Sequence, residues 1–278
     1  MLIASLSFAC MGVCVKLGAA YFSSSELVFY RCFFGLLFVG AMLLHKRTPL
    51  ATPHWRSHLW RGLSGTVAMM LYFYCISTLP LASAITLNYT SAIFLTLLTL
   101  AVYKDRFHLP LTISLTLGFI GVVLLLHPTF EREQFVSGIL GLASGFFAAV
   151  ALMNVRQLGL MGEPAVRVVF YFNLAATLFS GIWMAQTEMH PVTRDGLWLL
   201  LGMGATATIA QVAMTHAYRV GQTQVVSTLS YSTIVFASLF GLMVWNEMLP
   251  IGSWFGIALI IGGGMLSLRL APTHTEAT

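Results

Sequence analysis

The chain is predicted to be an all-α integral membrane protein of ten transmembrane helices, arranged as two inverted five-helix repeats. Three observations predict this: a composition too apolar for water, ten apolar runs with short breaks, and a displaced copy of the first half in the second. Of 278 residues, 58% are hydrophobic and 8% are charged, with a mean hydropathy of +0.86. A soluble domain carries about 25% charged residues and must cover itself with polar side chains, of which this chain has too few. A soluble enzyme, a nucleic-acid binder and a disordered scaffold are excluded on that ground. A spanning helix takes about 20 residues, so ten use about 200 and leave about seven for each loop and tail.

The spans lie near 2–21, 25–45, 60–79, 81–103, 110–127, 136–158, 165–185, 195–217, 222–245 and 251–270. The first run starts at Met1, but Ser5, Ser7, Cys10 and Lys16 make it a poor signal-peptide core. No small-residue cleavage site stands out, so it is read as a mature span. Pro49 and Pro53 mark the break between the second and third spans. Pro80 separates the third from the fourth, and Pro110 and Pro128 bracket the fifth. The seventh follows Pro164, Pro191 precedes the eighth, and Pro250 and Pro272 bracket the tenth. Proline interrupts a helix interior but suits its first turn, so these positions support the segmentation independently of hydropathy. Trp55, Trp60, Trp183, Trp198, Trp245 and Trp254 lie near span ends, as an interfacial belt requires.

Charge sets the orientation. With the N-terminus inside, the inner loops and tail hold Lys46, Arg47, Arg56, Arg61, Lys104, Arg106, Arg156, Arg167, Arg219 and Arg269, and the outer loops hold Arg132 and Arg194. This excess predicts cytoplasmic termini, and it accounts for the pI near 9.2 without an anionic partner. Most acids (Glu26, Glu131, Glu133, Glu188, Asp195, Glu247) fall outside in agreement.

The halves align at an offset of 142: Leu87-Asn88-Tyr89-Thr90 lies over Leu229-Ser230-Tyr231-Ser232, Lys104-Asp105 over Asn246-Glu247, and Gly121 over Gly263. Phe29-Tyr30 matches Phe170-Tyr171 at an offset of 141. The repeats are set at 1–128 and 136–270. Five spans is an odd number, so the second copy enters the membrane in the opposite sense, as in many carriers that expose one site alternately to each side.

Five-plus-five spans, Arg31 in the second span, the segment LPLASAITLNYTSAIFLTLLTLAVYKDRF and its counterpart RVGQTQVVSTLSYSTIVFASLFGLMVWNEML resemble the EamA branch of the drug/metabolite transporter superfamily. The resemblance spans nearly the whole chain. It implies a bacterial-type inner-membrane carrier that moves a small organic metabolite by alternating access. Many relatives have a proline in the fourth span where this chain has Ala92, so a bend made by that proline is expected to be missing. The glutamate usual after that span is Asp105 here.

Polar groups inside spans are costly unless partnered, so they locate the candidate site. Arg31 lies six residues past Ser25, about 9 Å into its helix. It is read either as a fork for a carboxylate or phosphate, or as a snorkelling group or partner of Glu26 or Glu247. Thr208, Gln211 and Thr215 share one face of the eighth span and fit either a wet cavity or interhelical bonding. The Gln211 amide can donate and accept. Asn88, Ser230 and Tyr231 are repeat-related near the midplane, where a shared site is expected, or they serve helix packing. Tyr72 is read as core or as a stacking surface. Lys16 is read as snorkelling, and Asn154 and His216 as structural. Cys10 and Cys14, and the pairs Gly141/Gly145 and Gly252/Gly256, are read as packing positions.

The chain lacks HExxH, GxSxG and a Walker loop, so an enzyme and an ATP-driven pump are not expected, and neither is a cofactor or metal. The expected function is secondary transport of a small polar metabolite by way of a cavity between the repeats, with substrate-binding residues Arg31, Tyr72, Asn88, Gln211, Ser230 and Tyr231. An amino acid or derivative is favoured, moved outward, with a coupling proton or exchange substrate as second partner and a monomer in the lipid. Uptake of a nucleotide-like metabolite such as S-adenosylmethionine, and a non-transporting membrane scaffold, are the alternatives.

Overall fold

The computed structural model describes residues 1–79, 81–103, 108–128, 134–187, 189–246 and 250–270. Pro80, Lys104, Asp105, Arg106, Glu131, Arg132, Glu133, Glu188, Glu247 and Pro272 lie outside the described residues, so expectations that use them rest on sequence. The described residues form α1 (Leu2–Gly18), α2 (Ser24–His45), α3 (Trp55–Thr78), α4 (Leu81–Tyr89), α5 (Ser91–Tyr103), α6 (Leu109–Leu126), α7 (Phe135–Leu160), α8 (Ala165–Met184), α9 (Arg194–Val220), α10 (Thr223–Ser230), α11 (Ser232–Trp245) and α12 (Ile251–Leu270).

Taking α4 with α5 and α10 with α11, eight of these helical runs are long and apolar enough to cross a membrane. The expected first and third spans are the other two. α1 is apolar but has 17 residues, and α3 carries Arg56, His58, Arg61, Ser64 and Thr66 along its first half. Large apolar side chains such as Leu44, Phe135, Met243 and Ile251 project from the outer surface, which suits a hydrocarbon solvent and no other. The protein is an all-helical integral membrane protein.

Local chemistry sets the helix ends. At α2, Ser23 and Glu26 form a reciprocal capping box, which satisfies two of the N–H groups left open at a helix start. Thr193 caps α9 by accepting from the Gly196 N–H, Pro110 sits in the first turn of α6, and α8 starts directly after Pro164.

The expected fourth and ninth spans are each broken. α4 gives way to α5 at Thr90, and α10 to α11 at Tyr231. The expected loss of the bend at Ala92 is therefore corrected, because hydroxyl groups do what proline would. Thr90 Oγ1 donates to the Leu87 carbonyl at 2.5 Å, Ser230 Oγ to Ser227 at 2.6 Å and Ser232 Oγ to Leu229 at 2.6 Å. Such back-bonding competes with the helix ladder and bends it. The backbone tightens at both places, with Thr90 N–H on Leu87 and Tyr231 N–H on Thr228.

Helix pairing is dominated by α6 with α12, α3 with α7, α1 with α9, and α2 with α8. Apolar burial drives little association in lipid, so close van der Waals approach carries it. A side-chain carbon on Gly121 would stand 2.7 Å from the Gly256 carbonyl oxygen, and one on Gly256 2.6 Å from that of Gly121. One on Gly263 would meet the Ser114 carbonyl at 2.8 Å. α6 and α12 thus touch backbone to backbone. Gly145 of α7 seats against the break, where an added carbon would meet the Leu87 carbonyl at 2.8 Å and the Thr90 hydroxyl.

Candidate functional site: a cavity lined by two arginines

A cavity of about 540 Å³ lies inside the bundle, lined from α1 through α11 and so by both halves of the chain. That size suits a small organic molecule. Arg31, Tyr72, Asn88, Gln211 and Ser230 all reach its lining.

Arg31 of α2 donates from Nη1 to the Met69 sulfur of α3 at 3.3 Å. Among the described residues it pairs with no carboxylate. Glu26, one of the partners weighed for it, is fully buried at 0% exposure and engaged elsewhere.

Gln211 is 7% exposed, and its Oε1 accepts no hydrogen bond. The amide therefore has capacity left for a ligand. Its stripe companions Thr208 and Thr215 are buried off the cavity lining. Asn88 Nδ2 donates to Ser144 Oγ at 3.4 Å, so it both ties α4 to α7 and borders the cavity.

Tyr231 is corrected. Its side chain is 0% exposed and packs in the core between Gly118, Phe119 and Tyr89, off the cavity lining. Gly118 supplies the notch, since an added carbon there would lie 2.7 Å from the ring. The repeat-equivalent Tyr89 lines the cavity instead, with Tyr218 of α9; Tyr218 shares a hydrogen bond with Ser227 at 3.2 Å.

The second correction is Arg61. Its charge reads as a loop residue in the sequence, yet it lies two turns into α3, is 4% exposed and lines the cavity. Its guanidinium sits 4.2 Å from the Phe172 ring centroid and packs over Gly65, where a side chain would occupy its place. Nε and Nη1 have no hydrogen-bond partner. An isolated buried ion costs several kcal/mol, and a desolvated cation–π contact returns about 2 kcal/mol of that. Arg31 and Arg61 thus both line the cavity, and neither pairs with a carboxylate among the described residues.

Each end of the bundle carries a carboxylate cluster. At one end, Glu26 accepts from the Ser23 N–H at 2.7 Å and the His190 N–H at 2.6 Å, and pairs with His190 Nδ1 at 2.9 Å; Ser25 bonds Thr187 at 2.7 Å. These bonds tie the start of α2 to the segment between α8 and α9. At the other end Glu163, just before α8, accepts from the Thr52 hydroxyl and from Arg167 at 2.8 Å. His58 Nε2 approaches it at 3.3 Å, without hydrogen-bond alignment. Arg167, expected in an inner loop, is thus a buried partner in α8.

Burial alone would raise the pKa of Glu163, but the hydrogen bonds from Thr52 and Arg167 and the Arg167 charge outweigh it and hold the carboxyl below 4.5. A depressed carboxylate stabilises the fold above its unfolded pKa and loses that contribution as pH falls through the folded one. Glu163→Gln is therefore expected to lower the Tm in detergent at about pH 7, with the gap to wild type closing at acid pH below 4.5. A gap that stays constant to the lowest pH would show that the charge of Glu163 is not what holds the cluster.

The EamA-like transporter family model matches residues 1–127 and 136–269. An uncharacterized transporter of Helicobacter pylori is 31% identical over 276 residues, covering 95% of this chain and 92% of its own. The pseudopaline exporter of Pseudomonas aeruginosa is 29% identical, covering 95% and 90%, and a riboflavin transporter of Vibrio cholerae is 25% identical, covering 94% and 89%. One solved crystal structure superposes with a TM-score of 0.84 at 21% identity, covering 96% of this chain and 95% of that one, which speaks for the fold. The chain belongs to the EamA-like transporter family and is a membrane transporter, not an enzyme.

Proposed function

We propose that the chain is a secondary carrier that moves a small organic anion, an amino acid or a derivative of one, outward across the inner membrane by alternating access. The observation that carries this reading is Arg31, a cation lining the cavity between the halves with no carboxylate partner among the described residues. Gln211 and Asn88 orient the substrate through amide hydrogen bonds, and Tyr72 contributes an apolar wall.

The helix pairing supports ten spans in two inverted repeats, 1–128 and 136–270. Exchanging the halves turns the α3–α7 pair into α9–α1 and α3–α8 into α9–α2, and leaves α2–α8 and α6–α12 as they are. The two breaks also fall within one residue of equivalent positions. The clusters around Glu26 and Glu163, both formed in this structure, then act as the two gates and break in turn. The Lys/Arg bias favours cytoplasmic termini, and export agrees with the relative named a pseudopaline exporter.

One observation favours a second reading. Tyr72, Tyr89 and Tyr218 all line the cavity, and aromatic walls suit a nucleotide-like or other ring-bearing metabolite, as relatives named riboflavin transporters would require. Purified protein in liposomes loaded with pooled amino acids, nucleosides and adenosyl metabolites separates the two, with mass spectrometry of what leaves. Selective loss of carboxylate-bearing amino acids or derivatives is expected. Selective loss of neutral nucleosides would replace the first reading with the second, and loss of nothing under imposed proton, sodium and exchange gradients would return the scaffold alternative.

A further inference from the structure

Resting on the anion-carrier reading, we infer that Arg61 is a second anion-binding residue and that the substrate carries two negatively charged groups. Arg61 comes from α3 and Arg31 from α2, yet both guanidinium groups lie along one face of α3. Arg61 Nη1 packs over Gly65, and Arg31 Nη1 meets Met69, one turn further on. Positions four apart on a helix are about 6 Å apart along its axis. The cavity therefore presents two forks about one helical turn apart, which is the reach of a short dicarboxylate.

The surroundings of Arg61 are built for a ligand rather than for a structural ion pair. Its side chain is 4% exposed, and two of its nitrogens lack acceptors. Gly65 provides the space it occupies, and the Phe172 ring lies against its guanidinium. No carboxylate among the described residues pairs with it. A single anionic group on Arg31 would leave the buried Arg61 without an acid, so a second negative group is what completes the site. Arginine, with its planar fork, suits that role better than lysine.

The test measures binding rather than transport. Purified protein in detergent is titrated with succinate, glutarate and adipate, and with the monomethyl ester of each, following thermal stabilisation. Wild type is expected to bind at least one dicarboxylate about 10-fold or more tighter than its monoester. Arg61→Gln is expected to erase that preference, leaving the diacid as weak as the monoester, and Arg61→Lys to restore part of it. Equal binding of diacid and monoester by wild type, or an unaltered preference in Arg61→Gln, would overturn the second site and leave the single-anion reading standing. Binding of neither by wild type would overturn both. An Arg61→Gln protein that fails to fold is replaced by Arg61→Lys, whose full retention of the wild-type preference would count against the two-fork geometry.

Discussion

Arg31→Ala is expected to reduce transport at low substrate by on the order of 100-fold, mostly through weaker binding. Truncating one partner of a buried charge pair costs about 2–5 kcal/mol, and every 1.4 kcal/mol is about tenfold. Arg31→Lys should recover only part of the loss, because an ammonium cannot present the paired donors of a guanidinium. The same account makes a less obvious prediction about stability. Without substrate, Arg31 shares the cavity with Arg61 and with no compensating acid among the described residues, so removing it relieves a cost. The ligand-free Arg31→Ala protein should match or exceed the wild-type Tm. Normal transport by this variant would reduce Arg31 to an interfacial anchor, and a large fall in Tm would make it a structural residue.

Gly121→Leu is expected to be severely damaging to folding. The first added carbon would already stand 2.7 Å from the Gly256 carbonyl and 2.9 Å from the Ile260 side chain. Overpacking between side chains costs about 1–3 kcal/mol. Here a backbone blocks the way, so the helices must separate, and the cost should reach or exceed about 3 kcal/mol. Gly12→Ala and Gly262→Ala are the controls, since an added carbon at either meets nothing within 4 Å. Thermal unfolding monitored by size exclusion in detergent reads all three. A Gly121→Leu protein as stable as the controls would contradict the backbone contact of α6 with α12.

Most of the membrane architecture was legible because hydropathy and proline placement act along the chain. What escaped depends on neighbours across it. Arg61 sits close to a span boundary, where a positive charge reads as a topology signal; only Gly65 and Phe172, brought beside it by folding, make it a cavity residue. Glu26 was weighed as a partner for Arg31 and Glu163 drew no reading, because the hydrogen bonds that hold each come from a distant segment. Tyr89 and Tyr231 occupy equivalent repeat positions, so the sequence offers no reason to choose between them, and the Gly118 notch decides that Tyr231 is core. The breaks at Thr90 and Tyr231 carry no proline, and serine and threonine are so frequent in spans that their back-bonding leaves no distinctive mark. Arg31, Gln211 and Asn88 were legible because a polar group inside an apolar run needs a reason to be there.

Counterflow in proteoliposomes, comparing each carboxylate that leaves the loaded vesicles with its carboxamide, tests the central claim most directly. The two differ in charge and hardly in shape. If paired guanidinium groups recognise an anion, the carboxylate exchanges and the amide does so at least about 10-fold less well, because the amide leaves buried charge unanswered. Equal exchange of acid and amide would contradict an anion carrier built around Arg31.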